Sequence, residues 1–232
     1  MTFFEEKMDI PILPIPNVVF FPNTTLPIVV AEPTYIRMVK ECVHNNSMLG
    51  ISMAEPTQEF EHHTKYSPHK IGSIGKVIIL EEYEDGSLKV LVRGKSRVRL
   101  NHVIQNIPYL VYNVTLLPDI NNGTSVELGE NKLSKLKGIL DDWIDAAIPD
   151  SLERETFQNS LLGTAHIIDY LSTFLVDDRR VRQILLENTS LPERVQILSS
   201  ILNEKGEEPE NPFMVNAIKD FNLLDHKFKM VH

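Results

Sequence analysis

The stretch PILPIPNVVFFPNTTLPIVV, residues 11–30, constrains the fold more than any other part of the chain. It is apolar enough for a membrane span or a secretory signal, yet it carries Pro11, Pro14, Pro16, Pro22 and Pro27. One proline inside a helix costs about 3 kcal/mol, so several abolish it. A spanning helix needs about 20 apolar residues in unbroken register. The leader MTFFEEKMD is acidic where a signal peptide is basic. Neither targeting sequence nor membrane anchor fits. Proline is tolerated in sheets at edges, strand starts and bulges, so the segment is expected as extended chain along the rim of a sheet or barrel.

The rest of the first half also reads as β. Residues 49–53 form a buried-strand pattern, and two β-rich runs, 76–83 and 87–93, meet at Asp85-Gly86, a strong hairpin signal. Residues 97–102 and 109–116 supply two more strands. One short helix interrupts them at 35–44, where Tyr35, Met38, Val39, Cys42 and Val43 recur at helical spacing. Residues 55–70 are polar with Pro56 and Pro68, which predicts a long exposed loop.

After a polar linker at 121–125 the pattern turns helical. Leu133, Leu136, Ile139, Leu140, Trp143 and Ile144 fall on one face. Asp150-Ser151-Leu152-Glu153 has capping-box form and predicts a helix to about Leu175. Asp177-Asp178 precedes another at 179–188, and Ser190-Leu191-Pro192-Glu193 opens a helix to about Asn203. An acidic linker follows at 204–211, and Met214, Ile218, Phe221, Leu224 and Phe228 are spaced like a final amphipathic helix. The layout is α+β: a β-rich subdomain over 1–120, a helical bundle over 121–205, and a linker with a last helix over 206–232.

Chemistry-bearing motifs are scarce. The chain has no phosphate loop, GxGxxG, HExxH or GxSxG. Gly72-Ser73-Ile74-Gly75 reads as a turn leading a strand. His62, His63 and His69 with Glu59 and Glu61 resemble a metal cluster in composition only, since ligands usually sit at helical spacing on regular structure. No metal and no cofactor is expected. Cys42 is the single cysteine, which suits a reducing, cytoplasmic setting, and its spacing with Met38 and Val39 reads as core rather than nucleophile. A net charge of −9 disfavours nucleic acid as a partner. The one basic concentration is Arg93, Lys95, Arg97 and Arg99, with Arg97 and Arg99 on one strand face and Val98 and Leu100 on the other; it reads as the solvated face of a half-buried strand or, functionally, as a contact for an acidic partner or RNA.

Several blocks together resemble the N-terminal domain of Lon proteases. Residues 10–15 (IPILPI), then VVFFP at 18–22 and LPI at 26–28, are similar to that family's opening. IGSIGKV at 71–77, DGSLKVLV at 85–92, and Gly94 followed by RVRL at 97–100 agree in order and spacing. In the helical half, LLE at 185–187 followed by Arg194-Val195 is similar to a weaker family block. The resemblance spans about residues 9–203. It implies a PUA-like β-barrel followed by a helical bundle, serving substrate recognition. It also implies a stand-alone, non-catalytic module, because the ATPase and Ser–Lys protease modules of Lon have no counterpart before His232.

The functional expectation is a module that binds exposed apolar segments of client or partner polypeptides. Candidate contacts are Met53, Phe60, Tyr66 and Ile71 around the 55–70 region, then Phe20 and Phe21. Core packing is the competing role for the two phenylalanines. PUA-like barrels include RNA readers, so the second reading is RNA binding through Arg93, Lys95, Arg97 and Arg99. A hydrolase with an unrecognised site is the third. The sequence leaves client and oligomeric state open.

Overall fold

The computed structural model describes residues 7–60, 63–120 and 130–202. The expected C-terminal linker and last helix, and the 121–125 linker, lie outside the described residues. Contacts divide the chain into two compact units. The first runs to Pro118 and takes in Asp178–Thr189; the second comprises Asp119–Asp177 and the chain from Ser190.

The first unit is built on seven strands: β1 (Lys7–Pro16), β2 (Thr25–Val30), β3 (Met48–Phe60), β4 (His63–Pro68), β5 (Ile71–Glu82), β6 (Leu88–Gln105) and β7 (Val111–Leu117). The order β1-β7-β6-β5-β3 closes into a ring because β3 also pairs with β1, while β2 hangs on β6 and β4 on β3. Every pairing is antiparallel except β1 with β3. The result is an α+β fold whose strands form a ring rather than a clean barrel.

β1 corrects the expectation of a rim strand. It lies inside the ring, yet residues 7–11 pair with β7 and residues 12–16 pair with β3. Pro11, Pro14 and Pro16 therefore each have one registered neighbour, and the N–H each lacks can be the one facing away from it. Ile12 and Leu13 point to opposite sides, as adjacent strand residues must, and join different cores. One core gathers Leu13, Phe20, Val30, Leu49, Val90 and Val92 under the short helix α1 (Pro33–His44), whose Met38, Val39 and Cys42 complete it. The other joins Ile10, Ile12, Ile74, Val98, Leu100 and Val114.

Residues 18–21, part of the segment expected as extended chain along a rim, are irregular and cross over β6. The crossing needs glycine at position 94, where an added Cβ would sit 2.6 Å from the Phe21 carbonyl oxygen. The Gly94 N–H donates to the Thr24 carbonyl at 2.8 Å, and the Ser73 hydroxyl donates to the Phe20 carbonyl at 2.6 Å. Gly75 lies opposite Gly94, and a Cβ there would meet the Arg93 carbonyl oxygen at 2.3 Å. Gly72–Gly75 thus belong to the strand body of β5, not to a turn before it. The Asp85-Gly86 hairpin forms as expected, with Gly86 at φ 82°.

The second unit packs α2 (Glu130–Ala147), α3 (Ser151–Ser160), α4 (Thr164–Phe174) and α6 (Leu191–Leu202). The apolar face of α2 is buried through Leu136, Leu140, Trp143 and Ile144. Trp143 stacks on Phe174 at 4.9 Å, and Tyr170 meets Phe157 edge-on at 5.1 Å. The single helix expected from residue 151 to about 175 is two, because the chain turns at Gly163 with φ 122°. Asp150 caps α3 by accepting the Leu152 and Glu153 N–H groups. At the centre Arg194 and Asp169, both fully buried, pair at 2.8 Å, and Asp119 binds the same guanidinium at 2.8 Å.

The helix α5 (Arg179–Glu187), capped by Asp178, belongs to the sheet unit although it falls within the helical half of the sequence. Its Gln183 donates to the Ile71 carbonyl at 3.1 Å.

Candidate functional site

The 55–70 region is where the structure departs most from the expected loop. β3 runs on past its ring partners: its pairing with β5 ends at Ile51 and with β1 at Ala54, and from there to Phe60 it pairs with β4 alone. The polar, proline-bearing stretch is thus a hairpin projecting from the ring. Among its described side chains Glu55, Pro56, Tyr66 and Ser67 are exposed, so polarity here does not mean absence of structure. Among the described strands β4 has no neighbour on its outer side.

Register assigns the faces. Ala54 opposes Pro68 and Pro56 opposes Tyr66, so these four share one face, while Glu55 and Ser67 share the other. Tyr66 is 41% exposed and forms an apolar ledge with exposed Pro56. Met53 is buried at the base, and Ile71 is half-buried where β5 begins. Phe60 pairs with His63 at the strand end, and its side chain lies outside the described part. The base is tied by the His69 N–H to the Met53 carbonyl at 2.8 Å and by the Ser52 hydroxyl to the His69 carbonyl at 2.9 Å.

The imidazole of His69 sits between two carboxylates, 3.2 Å from Glu55 and 3.7 Å from Glu187 of α5. Gln183 donates from the same amide nitrogen to Glu187 at 2.8 Å. Nothing local in the sequence signals this group, since Glu187 lies far along the chain from His69. His62 and Glu61 of the compositional cluster lie outside the described residues. Among the described residues no group of three or more His, Cys, Asp or Glu is placed to hold a metal ion.

Phe20 and Phe21 are buried, at 3% and 0% exposure, so both serve the crossing segment and its core rather than a surface contact. The basic concentration breaks up. Arg93, Lys95 and Arg99 are exposed, but Arg97 is 2% exposed. It pairs in register with Ser73, whose hydroxyl holds the Phe20 carbonyl, so the crossing segment covers that row of the sheet. The alternation rule placed Arg97 on a solvated face, and a segment remote in sequence closes it. Cys42 is buried with its Sγ 3.8 Å from the Met48 carbonyl oxygen, and burial pushes its thiol pKa up, which disfavours the nucleophilic thiolate.

A second surface feature lies along α1, an open depression of about 500 Å³ lined by Pro33, Ile36, Arg37, Lys40, Glu41 and His44. Its charges are already paired: Arg37 with Glu41 at 2.7 Å and Lys40 with Glu82 at 2.7 Å. The Tyr109 hydroxyl also donates to Glu41. Burial first, and then this bond, push the Tyr109 pKa up to about 12, while the Tyr109 and Arg37 bonds lower that of Glu41. Among the described residues no helix is long and apolar enough to cross a membrane.

A family model for the substrate-binding domain of ATP-dependent protease La (LON) matches residues 9–204. The Lon protease of Parabacteroides distasonis is 26% identical over 196 residues, which cover 84% of this chain and 24% of that protein. The Lon protease 2 of Myxococcus xanthus is 26% identical over 203 residues, covering 85% and 24%. The chain spans about a quarter of the length of the curated relatives it matches. The fold matches the N-terminal domain of a Mycobacterium avium complex Lon protease with a TM-score of 0.61 at 17% identity, over 85% of this chain and 99% of that one. It also matches a Lon N-terminal domain protein from Xanthomonas campestris with a TM-score of 0.59 at 19% identity, over 83% and 98%.

Proposed function

The chain belongs to the Lon substrate-binding domain family, and we propose that it binds exposed apolar segments of client or partner polypeptides, taking them as an added strand along β4. The matched region is the substrate-binding domain of its relatives and not their catalytic module. Binding without catalysis is the corresponding role here.

The observation that carries this reading is the outer side of β4, which has no strand beside it among the described residues. A strand without a neighbour presents a row of unpaired N–H and C=O groups, which an extended peptide satisfies without regard to its sequence. Residues 63–67 contain no proline, so no donor is missing along that edge. The other hanging strand, β2, carries Pro27 in its middle and is the poorer template. Tyr66 and Pro56 add an apolar ledge beside the β4 edge, and aromatic anchors of this kind dominate many interfaces.

The RNA reading has less support, because Arg97 is not on the surface and the chain carries a net charge of −9. The test is binding of a reduced, carboxymethylated, permanently unfolded client, read by fluorescence anisotropy. The pair Phe60→Ala/Tyr66→Ala is expected to weaken binding about tenfold, as loss of an aromatic anchor does. Unchanged affinity would remove both residues from the site. Adjacent strand residues direct their N–H groups to opposite sides, so of Tyr66→Pro and Ser67→Pro one removes an outward donor. If neither proline variant, checked by circular dichroism to be folded, alters binding, the edge is not the template.

A further inference from the structure

The two faces of the β3–β4 hairpin differ in a way that backbone pairing alone does not require. One is the apolar ledge of Tyr66 and Pro56. The other holds Glu55 and, from α5, Glu187, with side chains 67% and 45% exposed. Among the described side chains the basic group beside these carboxylates is the imidazole of His69, itself 23% exposed. Gln183 adds a second kind of acceptor. It is 4% exposed and spends its amide nitrogen on the Ile71 carbonyl and Glu187, while its buried Oε1 has no donor among the described residues. Two exposed carboxylates and one imidazole thus meet at this corner of the hairpin.

We propose that the β4 edge selects segments in which apolar residues alternate with lysine or arginine, the cation reaching Glu55 and Glu187 across Ser67. This rests on the strand-addition reading above and names the substrate class for it. A strand added beside β4 lies two strand spacings, about 10 Å, from β3. Between them, opposite Glu55, stands Ser67, whose side chain is short enough to pass beneath a longer one. A lysine or arginine stem on the client together with the glutamate stem covers the gap. Residues on either side of that cation fall on the opposite face, against Tyr66 and Pro68, where apolar side chains lose water to the ledge. The alternation of the client thus mirrors the alternation of the hairpin. An acidic chain, at net charge −9, also favours cationic segments at the encounter stage.

The test uses the full chain and three peptides with the same apolar residues at alternate positions and Lys, Gln or Glu between them. Fluorescence anisotropy is expected to rank them Lys over Gln over Glu by about fivefold per step, the upper range for exposed ion pairs. High salt narrows that spread. Charge reversal in E55K/E187K inverts the order, whereas E84K/D142K, at two exposed acids elsewhere, preserves it. An unaltered order in E55K/E187K, or no ranking in the wild-type chain, overturns this inference while leaving strand addition standing. A chain that binds none of the three peptides overturns both.

Discussion

The sheet unit and the helical unit hold their shapes by different means. In the sheet unit the decisive contacts are made by backbone: Gly94 under the Phe21 carbonyl, Gly75 against the Arg93 carbonyl, and the Ser73 hydroxyl on the Phe20 carbonyl. In the helical unit they are made by side chains: the buried Arg194–Asp169 pair, and the stacked rings of Trp143, Phe174 and Tyr170. The difference bears on function. A unit whose architecture is backbone meeting backbone leaves, on the outer side of β4, a row of backbone groups without a strand beside it among the described residues. The helical unit has no strand among its described elements and so no edge of this kind.

The largest effect expected from breaking this contrast is in the helical unit. Arg194→Ala takes the guanidinium from the fully buried Asp169 carboxylate and should cost about 3–5 kcal/mol, read by urea unfolding. The double variant Arg194→Met/Asp169→Leu should recover part of that loss, because the buried pair becomes apolar while the partly exposed Asp119 still loses its guanidinium. Failure to recover would mean that the pair supplies more than mutual neutralisation.

Next in size is the sheet unit's crossing point. Gly94→Ala places a Cβ within 2.6 Å of backbone that cannot rotate away. The expected cost is about 1–3 kcal/mol, as for overpacking elsewhere. Gly138→Ala is the control, since a Cβ there meets nothing and alanine favours α2. Equal effects at the two glycines would dissolve the contrast between the units.

The helix caps come third. Asp150→Ala and Asp178→Ala should each cost about 1 kcal/mol. Amide exchange separates them: the first should loosen α3 in the helical unit, the second α5 in the sheet unit.

The smallest effect is a pH dependence on the surface of the sheet unit. The Tyr109 proton is held more tightly in the folded chain, with a pKa of about 12 against an ordinary value of 10.0. Its stabilisation is therefore whole below pH 10 and is lost as pH rises toward 12. Tyr109→Phe should remove that alkaline decline, and the same slope in the variant would assign it elsewhere.

Much of the fold was legible in sequence where a local device fixes it. Asp85-Gly86 turns the β5–β6 hairpin, and Asp150, Asp178 and Ser190 each accept an N–H in the first turn of a helix. What escaped depends on partners distant in the chain. Residues 55–70 look like a loop because their polar residues and prolines show no apolar alternation to reveal a hairpin. Arg97 looks exposed because the covering segment lies far back, at Phe20. The prolines of β1 suggest a rim, whereas the strand exchanges one neighbour for another midway. At the candidate site Tyr66 stood out as an aromatic in a polar stretch. Glu55 and Glu187 did not, since only the fold brings α5 beside His69.

The central claim is that polypeptide docks on the outer side of β4. Hydrogen exchange of the backbone amides, with and without the unfolded client, tests it residue by residue. The outward amides of residues 63–67 should slow on binding, while those of β2 keep their rates. Protection confined to β2, to α1 or to the helical unit, with β4 unchanged, would contradict the account.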